Sequence, residues 1–216
     1  MSAPTVYTYW QPVPGFEYPK ALLDLWSKSW EARGWKTAVL CEANAHDHPG
    51  YAYFNERISR FPTSNPREYE RACFLRHLAM AQIGGGLLMD YDCILRSKAL
   101  PEDDLPLPNH PVFLEPTRVP CAVMGSADAY EELCDWLCEY DASKDRHVSD
   151  MTILRKTNYQ AQNVCVEHLC SGRPVENDPG DGWKTAPMIH FSTFSFSKLG
   201  WTGDKAQMIQ RVLATL

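Results

Sequence analysis

Apolar positions along the chain alternate between a two-residue period and a three-to-four-residue period, and each change of period marks an expected element. Thr5 to Trp10 is rich in β-branched and aromatic residues and is stopped by Pro12, Pro14 and Gly15, which predicts a strand followed by a loop. From Pro19 to Arg33, Leu22, Leu23, Trp26 and Trp30 recur at helical spacing, and Gly34 stands where a helix C-cap belongs. Trp35 to Leu40 predicts a second strand, so the opening is β-α-β with a parallel pair and a right-handed crossover. Asn44 to Pro66 is turn-rich and reads as loop, with one short helix around Tyr53 to Arg60.

A long helix follows Asn65-Pro66, with Glu68 and Glu70 at the positive end of its dipole and Tyr69, Ala72, Cys73, Leu75, Leu78, Ala79 and Ile83 on its expected core face. It ends at Gly84-Gly85-Gly86, and Leu87 to Met89 is a short buried strand. Pro101 to Pro111 reads as an acidic, proline-rich surface loop. Val112 to Leu114 and Ala122 to Met124 read as strands, and Asp128 to Tyr140 and Thr152 to Leu169 as helices. Asn177 to Gly182 is a turn cluster, Met188 to Phe191 a late strand, Ser192 to Gly203 a polar loop and Asp204 to Leu216 a final helix. Without an internal repeat or a low-complexity tract, residues 1–216 are expected to form one α/β domain with a mixed, mostly parallel sheet flanked by helices.

Composition narrows the function. Charged residues are 22% and hydrophobic residues 44% of the 216, ordinary globular usage, and the net charge of −6 gives no general attraction to nucleic acid or anionic membrane. The apolar run Ile83 to Met89 is far shorter than the roughly 20 residues of a transmembrane helix, and the first residues have no basic or apolar leader pattern, so a cytoplasmic protein is expected. The eight cysteines lie scattered through apolar segments and read as reduced core thiols. The spacings of Cys134 with Cys138 and Cys165 with Cys170 match no zinc-ligand pattern.

Chemistry concentrates between Arg71 and Asp92. Arg71 and Arg76 lie on the long helix, and the glycine run and an apolar strand then lead into Asp90-Tyr91-Asp92. Ligands of open α/β sheets bind at the carboxyl ends of strands, where this acidic pair falls. Two carboxylates there suit a hard divalent cation that also accepts diphosphate oxygens. The two arginines, five positions apart, are about 140° apart around a helix, so only one of them can face the acids.

This arrangement resembles the GT-A glycosyltransferases that carry an Asp-x-Asp motif, especially the small capsular, mannosyl and viral sugar transferases. The likeness is strongest over residues 66–95, although three glycines stand where the family usually shows two, which leaves open whether Arg71 or Arg76 fills the family's arginine position. The resemblance implies a UDP or GDP sugar as donor, a hydroxyl of a glycan or small molecule as acceptor, and Mn²⁺ or Mg²⁺ bound by Asp92. Asp90 would then contact ribose, sugar or metal. It also implies that Thr8, Tyr9 and Trp10 line the base and ribose pocket, that His190 completes the metal shell, and that Lys198 and Trp201 serve the diphosphate and sugar. Asp150, with Glu115 in reserve, is the implied acid near the acceptor. An imidazole ligand favours Mn²⁺ over Mg²⁺. His46, His48 and His147 lie in polar segments and read as solvent-exposed. Inversion and retention are both compatible with the residues.

Two other classes share parts of this pattern. A metal-dependent nucleotidyl- or phosphotransferase also places paired carboxylates on a cation. Against it, the chain has no Gly-x-x-x-x-Gly-Lys loop, and its glycine run precedes a strand instead of opening a helix. A non-catalytic nucleotide-sugar binding module would keep the pocket and lack turnover.

Overall fold

The expected β-α-β opening forms as β1 (Thr5–Tyr9), α1 (Lys20–Glu31) and β2 (Lys36–Leu40), with β1 and β2 parallel and in register from Thr5 opposite Lys36 to Tyr9 opposite Leu40. The computed structural model describes residues 3–96, 107–114, 119–157, 159, 171–172, 186–198, 200 and 202–215. Expectations for Glu115, Trp201, residues 101–106, the second half of the helix proposed up to Leu169 and the turn at 177–182 lie outside the described residues.

In the turn-rich segment, α2 (Glu42–His46) forms where no helix was expected, and α3 (Tyr51–Ser59) is the short helix expected around Tyr53 to Arg60. Neither shows a long period, because each is held from outside. Asn44 caps the start of α2 by accepting from the Cys41 amide at 2.9 Å, and Ala45, Phe54 and Ile58 are buried beneath. The next helix, α4 (Arg67–Gln82), is as expected in extent but not in its faces. Tyr69, assigned to the core, is 42% exposed, whereas every residue from Phe74 to Ala81 is buried, including Arg76 and His77. The C-terminal half of α4 is enclosed on all sides, so its burial follows no single stripe.

The strand after it, β3 (Gly85–Met89), explains the glycine run. Gly85 has φ +84°, and a Cβ there would lie 2.4 Å from the carbonyl oxygen of Gly125, so the backbones of β3 and its antiparallel neighbour β6 (Ala122–Ser126) meet at this point. Along β3 the side chains alternate. Leu88 enters one core with Leu75, Leu78, Val123 and Tyr130, while Leu87 and Met89 enter the other with Val6, Trp26 and Trp30.

The remaining described elements are β4 (Cys93–Leu95), β5 (Val112–Phe113), α5 (Ala127–Glu139), α6 (Asp150–Lys156), β7 (Ser171–Gly172), β8 (Met188–His190), α7 (Thr193–Lys198) and α8 (Lys205–Leu213). The main sheet has the order β2-β1-β3-β6-β5, in which β6 alone runs against the other four strands. A smaller sheet, β4-β8-β7, continues from the end of β3. The expected loop from Ser192 to Gly203 instead contains α7, because Phe196 turns into the core and its amide bonds to the Ser192 carbonyl at 3.1 Å. Among the described residues no helix is long and apolar enough to cross a membrane.

Candidate active site

The chain leaves β3 at Met89 and turns sharply into β4. Asp90 donates its amide to the Cys121 carbonyl at 2.7 Å, Cys93 donates back to the Asp90 carbonyl at 2.9 Å, and Phe191 donates to the Asp92 carbonyl at 2.9 Å. The two acids are thereby fixed between the two sheets, at the carboxyl end of β3.

Arg76 reaches this turn from α4. Its Nη1 donates to Asp90 Oδ1 at 2.6 Å, its Nη2 to Asp150 Oδ2 at 2.7 Å, and its Nε to the Cys73 carbonyl at 3.0 Å. His77 Nε2 lies 3.1 Å from the same Asp150 oxygen. Asp150 begins α6, and its Oδ1 accepts from the Met151 amide at 2.6 Å. Burial alone would raise the pKa of Asp150, but Arg76 and His77 outweigh it and bring the carboxyl down to about 2. Such a carboxylate is a weak proton acceptor and a strong source of fixed negative charge.

Asp92 is more enclosed than a residue lining an open crevice, at 9% exposure, whereas Asp90 is half-buried. Lys205, the first residue of α8, donates to Asp92 Oδ2 at 2.6 Å, and His190 Nε2 stands 3.5 Å from Asp92 Oδ1. Burial disfavours the charge on Asp92, yet Lys205 and His190 hold its pKa below the usual carboxylate value. Burial would likewise lower the pKa of His190, but Cys121 and Asp92 raise it to about 10. Among the described residues, Asp92 Oδ1 and His190 Nδ1 have no hydrogen-bond partner although both atoms are buried. Asp90, Asp92 and His190 each offer a donor atom within 4.8 Å of the others, an oxygen-rich set with one imidazole that fits a divalent cation.

The two arginines separate as their spacing requires. Arg71 turns away from Asp90 and bonds to Asn55 Oδ1 and the Tyr51 hydroxyl, both at 2.7 Å, and to Glu42. At the end of β1, Thr8 is fully buried and Tyr9 packs into the core with its hydroxyl donating to Gln11 Oε1 at 2.6 Å. Trp10 is half-buried and meets Tyr18 edge-on at 4.6 Å, so of the three it alone keeps an accessible ring. Lys198 closes α7, and its side chain lies outside the described part. His46 is exposed as expected. His48 and His147 are half-buried instead, with His48 bonded by the Gly50 amide and His147 lying 3.9 Å from Glu70.

Sequence reasoning missed Lys205, His77 and the position of Cys121. Lys205 carried one signal, since a lysine in the first turn of a helix opposes the dipole and implies a nearby acid. His77 carried another, as a polar neighbour of Arg76 inside an otherwise apolar helical run.

Over 91% of its length the chain superposes on the crystal structure of a glycosyltransferase involved in the glycosylation of the major capsid of PBCV-1. The match covers 97% of that chain, with a TM-score of 0.50 and 12% sequence identity. At that identity the likeness is one of fold. No protein-family profile and no curated protein sequence matches the chain.

Proposed function

We propose that this protein is a metal-dependent glycosyltransferase of the GT-A kind, moving a sugar from a UDP or GDP sugar to a hydroxyl of a glycan or small acceptor. The observation that carries this reading is the meeting of Asp90, Asp92 and His190 where β3 leaves the main sheet, in a fold shared with a glycosyltransferase. In the reaction the bond from the anomeric carbon to the diphosphate oxygen breaks, a bond from that carbon to the acceptor oxygen forms, and the acceptor hydroxyl loses its proton.

A divalent cation held by Asp92, Asp90 and His190 would neutralise charge on the departing nucleoside diphosphate, and the imidazole favours Mn²⁺ over Mg²⁺. The chain's own residues do the rest. Arg76 fixes Asp90 and Asp150 in one geometry, so the acids are oriented before substrate arrives. Trp10 offers its accessible ring for stacking on the base. Asp150, ionised and rigid, suits the support of positive charge on the sugar ring better than it suits removal of the acceptor proton. Lys198 is assigned to the diphosphate, with Glu115 as the reserve acid.

One observation favours a second reading. Lys205 Nζ already sits 2.6 Å from Asp92 Oδ2, so an ammonium supplies positive charge at the position where a metal would. In that reading the leaving group is neutralised by Lys205 and activity survives chelation. The experiment that tests the first reading is a thermal-shift panel of UDP and GDP sugars with Mn²⁺ or with chelator, since a ligand that binds only the folded state raises its apparent stability. A rise that needs both nucleotide and Mn²⁺ supports it, and no rise with any donor opposes it.

A further inference from the structure

Beside the acidic pair lies a second group of metal-ligating side chains, which sets two sulfurs around the same His190. Cys93 opens β4, Cys121 immediately precedes β6, and His190 ends β8. Cys93 and His190 are paired across the antiparallel β4-β8 ladder, which puts both side chains on one face. The Asp90 amide bonded to the Cys121 carbonyl brings the third residue against them. Exposure is 0% for both cysteines and 4% for His190, and both cysteines are free thiols. One donor atom from each lies within 4.8 Å of the others.

We propose that Cys93, Cys121 and His190 form a thiophilic metal site of the Zn²⁺ class, which differs from the oxygen-rich site in its two sulfurs and overlaps it at His190 and at Asp92. Two sulfurs and one imidazole select a borderline or soft cation against Mg²⁺ and Mn²⁺. Ligand atoms of a tetrahedral zinc–thiolate site stand about 3.8 Å apart, as bonds of about 2.3 Å require, so closing the group needs side-chain shifts of at most about 1 Å. The buried oxygen Asp92 Oδ1, unpartnered among the described residues and 3.5 Å from the same imidazole, is placed to serve as fourth ligand. The Cys93 thiol makes a long 3.5 Å bond to the Cys121 carbonyl and interacts with the Cys121 side chain, its partner in the proposed site. On binding, the thiols and the imidazolium give up their protons, two metal–sulfur bonds and one metal–nitrogen bond form, and no electron is transferred. None of this depends on the transferase reading. Its consequence does: Zn²⁺ here engages His190 and Asp92 and so removes them from the site that binds Mn²⁺ and nucleotide.

The test is a Co²⁺ titration of the chelator-treated, reduced full-length protein, with Co²⁺ as optical substitute for Zn²⁺. Thiolate-to-cobalt charge-transfer absorption is expected to saturate at one equivalent, to be bleached by one equivalent of Zn²⁺ and to be unaffected by Mg²⁺. Cys93→Ala and Cys121→Ala should each weaken the band, their combination should abolish it, and Cys134→Ala should leave it intact. If the alanine variants do not fold, X-ray absorption at the zinc edge of the wild-type protein reads the ligand set directly, with two sulfurs expected. Absence of the charge-transfer band, its persistence in the double variant, or a zinc shell of nitrogen and oxygen alone would overturn the site. A sulfur-ligated metal in a protein that binds no nucleotide sugar would leave this site standing and remove the transferase reading instead.

Discussion

Arg76 and Asp150, 74 positions apart in the chain, meet in the interior through a 2.7 Å hydrogen bond between Nη2 and Oδ2. The same guanidinium holds Asp90, so one side chain ties α4 and α6 to the turn that presents the acidic pair. Removing one partner of a buried ion pair leaves the other charge uncompensated, at a cost of about 3–5 kcal/mol. Arg76→Ala should therefore lower stability by that order, and Arg76→Lys, which cannot span both carboxylates, should recover only part of it. Urea unfolding of the three proteins measures this, and a change below about 1 kcal/mol in Arg76→Ala would show that the bridge is not a support.

Acid should weaken the protein in two stages. His77 is buried and its pKa is lowered by that burial, so the unfolded chain takes up its proton first, and stability is full above about pH 6.5 and declines below it. Asp150 is depressed to about 2, so its contribution is complete above the unfolded value of about 3.9 and is lost as pH falls toward 2. The second stage is worth about 2–3 kcal/mol. His77→Gln should flatten the first stage and shrink the second only in part, since Arg76 continues to hold Asp150 down. Unfolding free energies at several pH values decide this, and an unchanged first stage in the variant would exclude His77 as its source.

Lys205 separates the two readings of the site. If a metal supplies the positive charge, Lys205→Met frees Asp92 Oδ2, and Mn²⁺ affinity should rise or hold while turnover continues. If the ammonium itself is the electrophilic group, turnover falls by a factor of roughly 10²–10³, as for loss of one charge-stabilising donor, and chelator has no further effect. Calorimetric Mn²⁺ titration beside turnover of both proteins distinguishes the outcomes.

The opening β-α-β unit, the course of β3 and the location of the acidic pair were legible in the chain because they rest on local signals: a two-residue period, a glycine run needing positive φ, and polar residues directly after a buried strand. α3 answers to the short helix expected around Tyr53 to Arg60, but α2 was not legible, because so short a helix takes its stability from the buried Ala45 and its packing more than from its own period. The burial of Arg76 and His77 was hidden for a related reason, since α4 is enclosed on faces that its sequence marks as polar. Lys205 reaches Asp92 across 113 positions, and Cys93, Cys121 and His190 come from three separate segments, so only the fold brings them together.

Asp92 is the residue on which the metal reading depends most heavily. Asp92→Asn keeps the shape of the side chain, and the partly exposed Lys205 can turn to water, so the fold should survive with a small change in melting temperature. Release of nucleoside diphosphate from UDP and GDP sugars, followed in the wild type and in Asp92→Asn with Mn²⁺ and with chelator, tests the central claim most directly. The predicted result is Mn²⁺-dependent release by the wild type that chelator abolishes and that Asp92→Asn lowers by at least roughly 10²-fold. Release by Asp92→Asn equal to that of the wild type, or no release from any donor by a folded wild-type protein saturated with Mn²⁺, would contradict it.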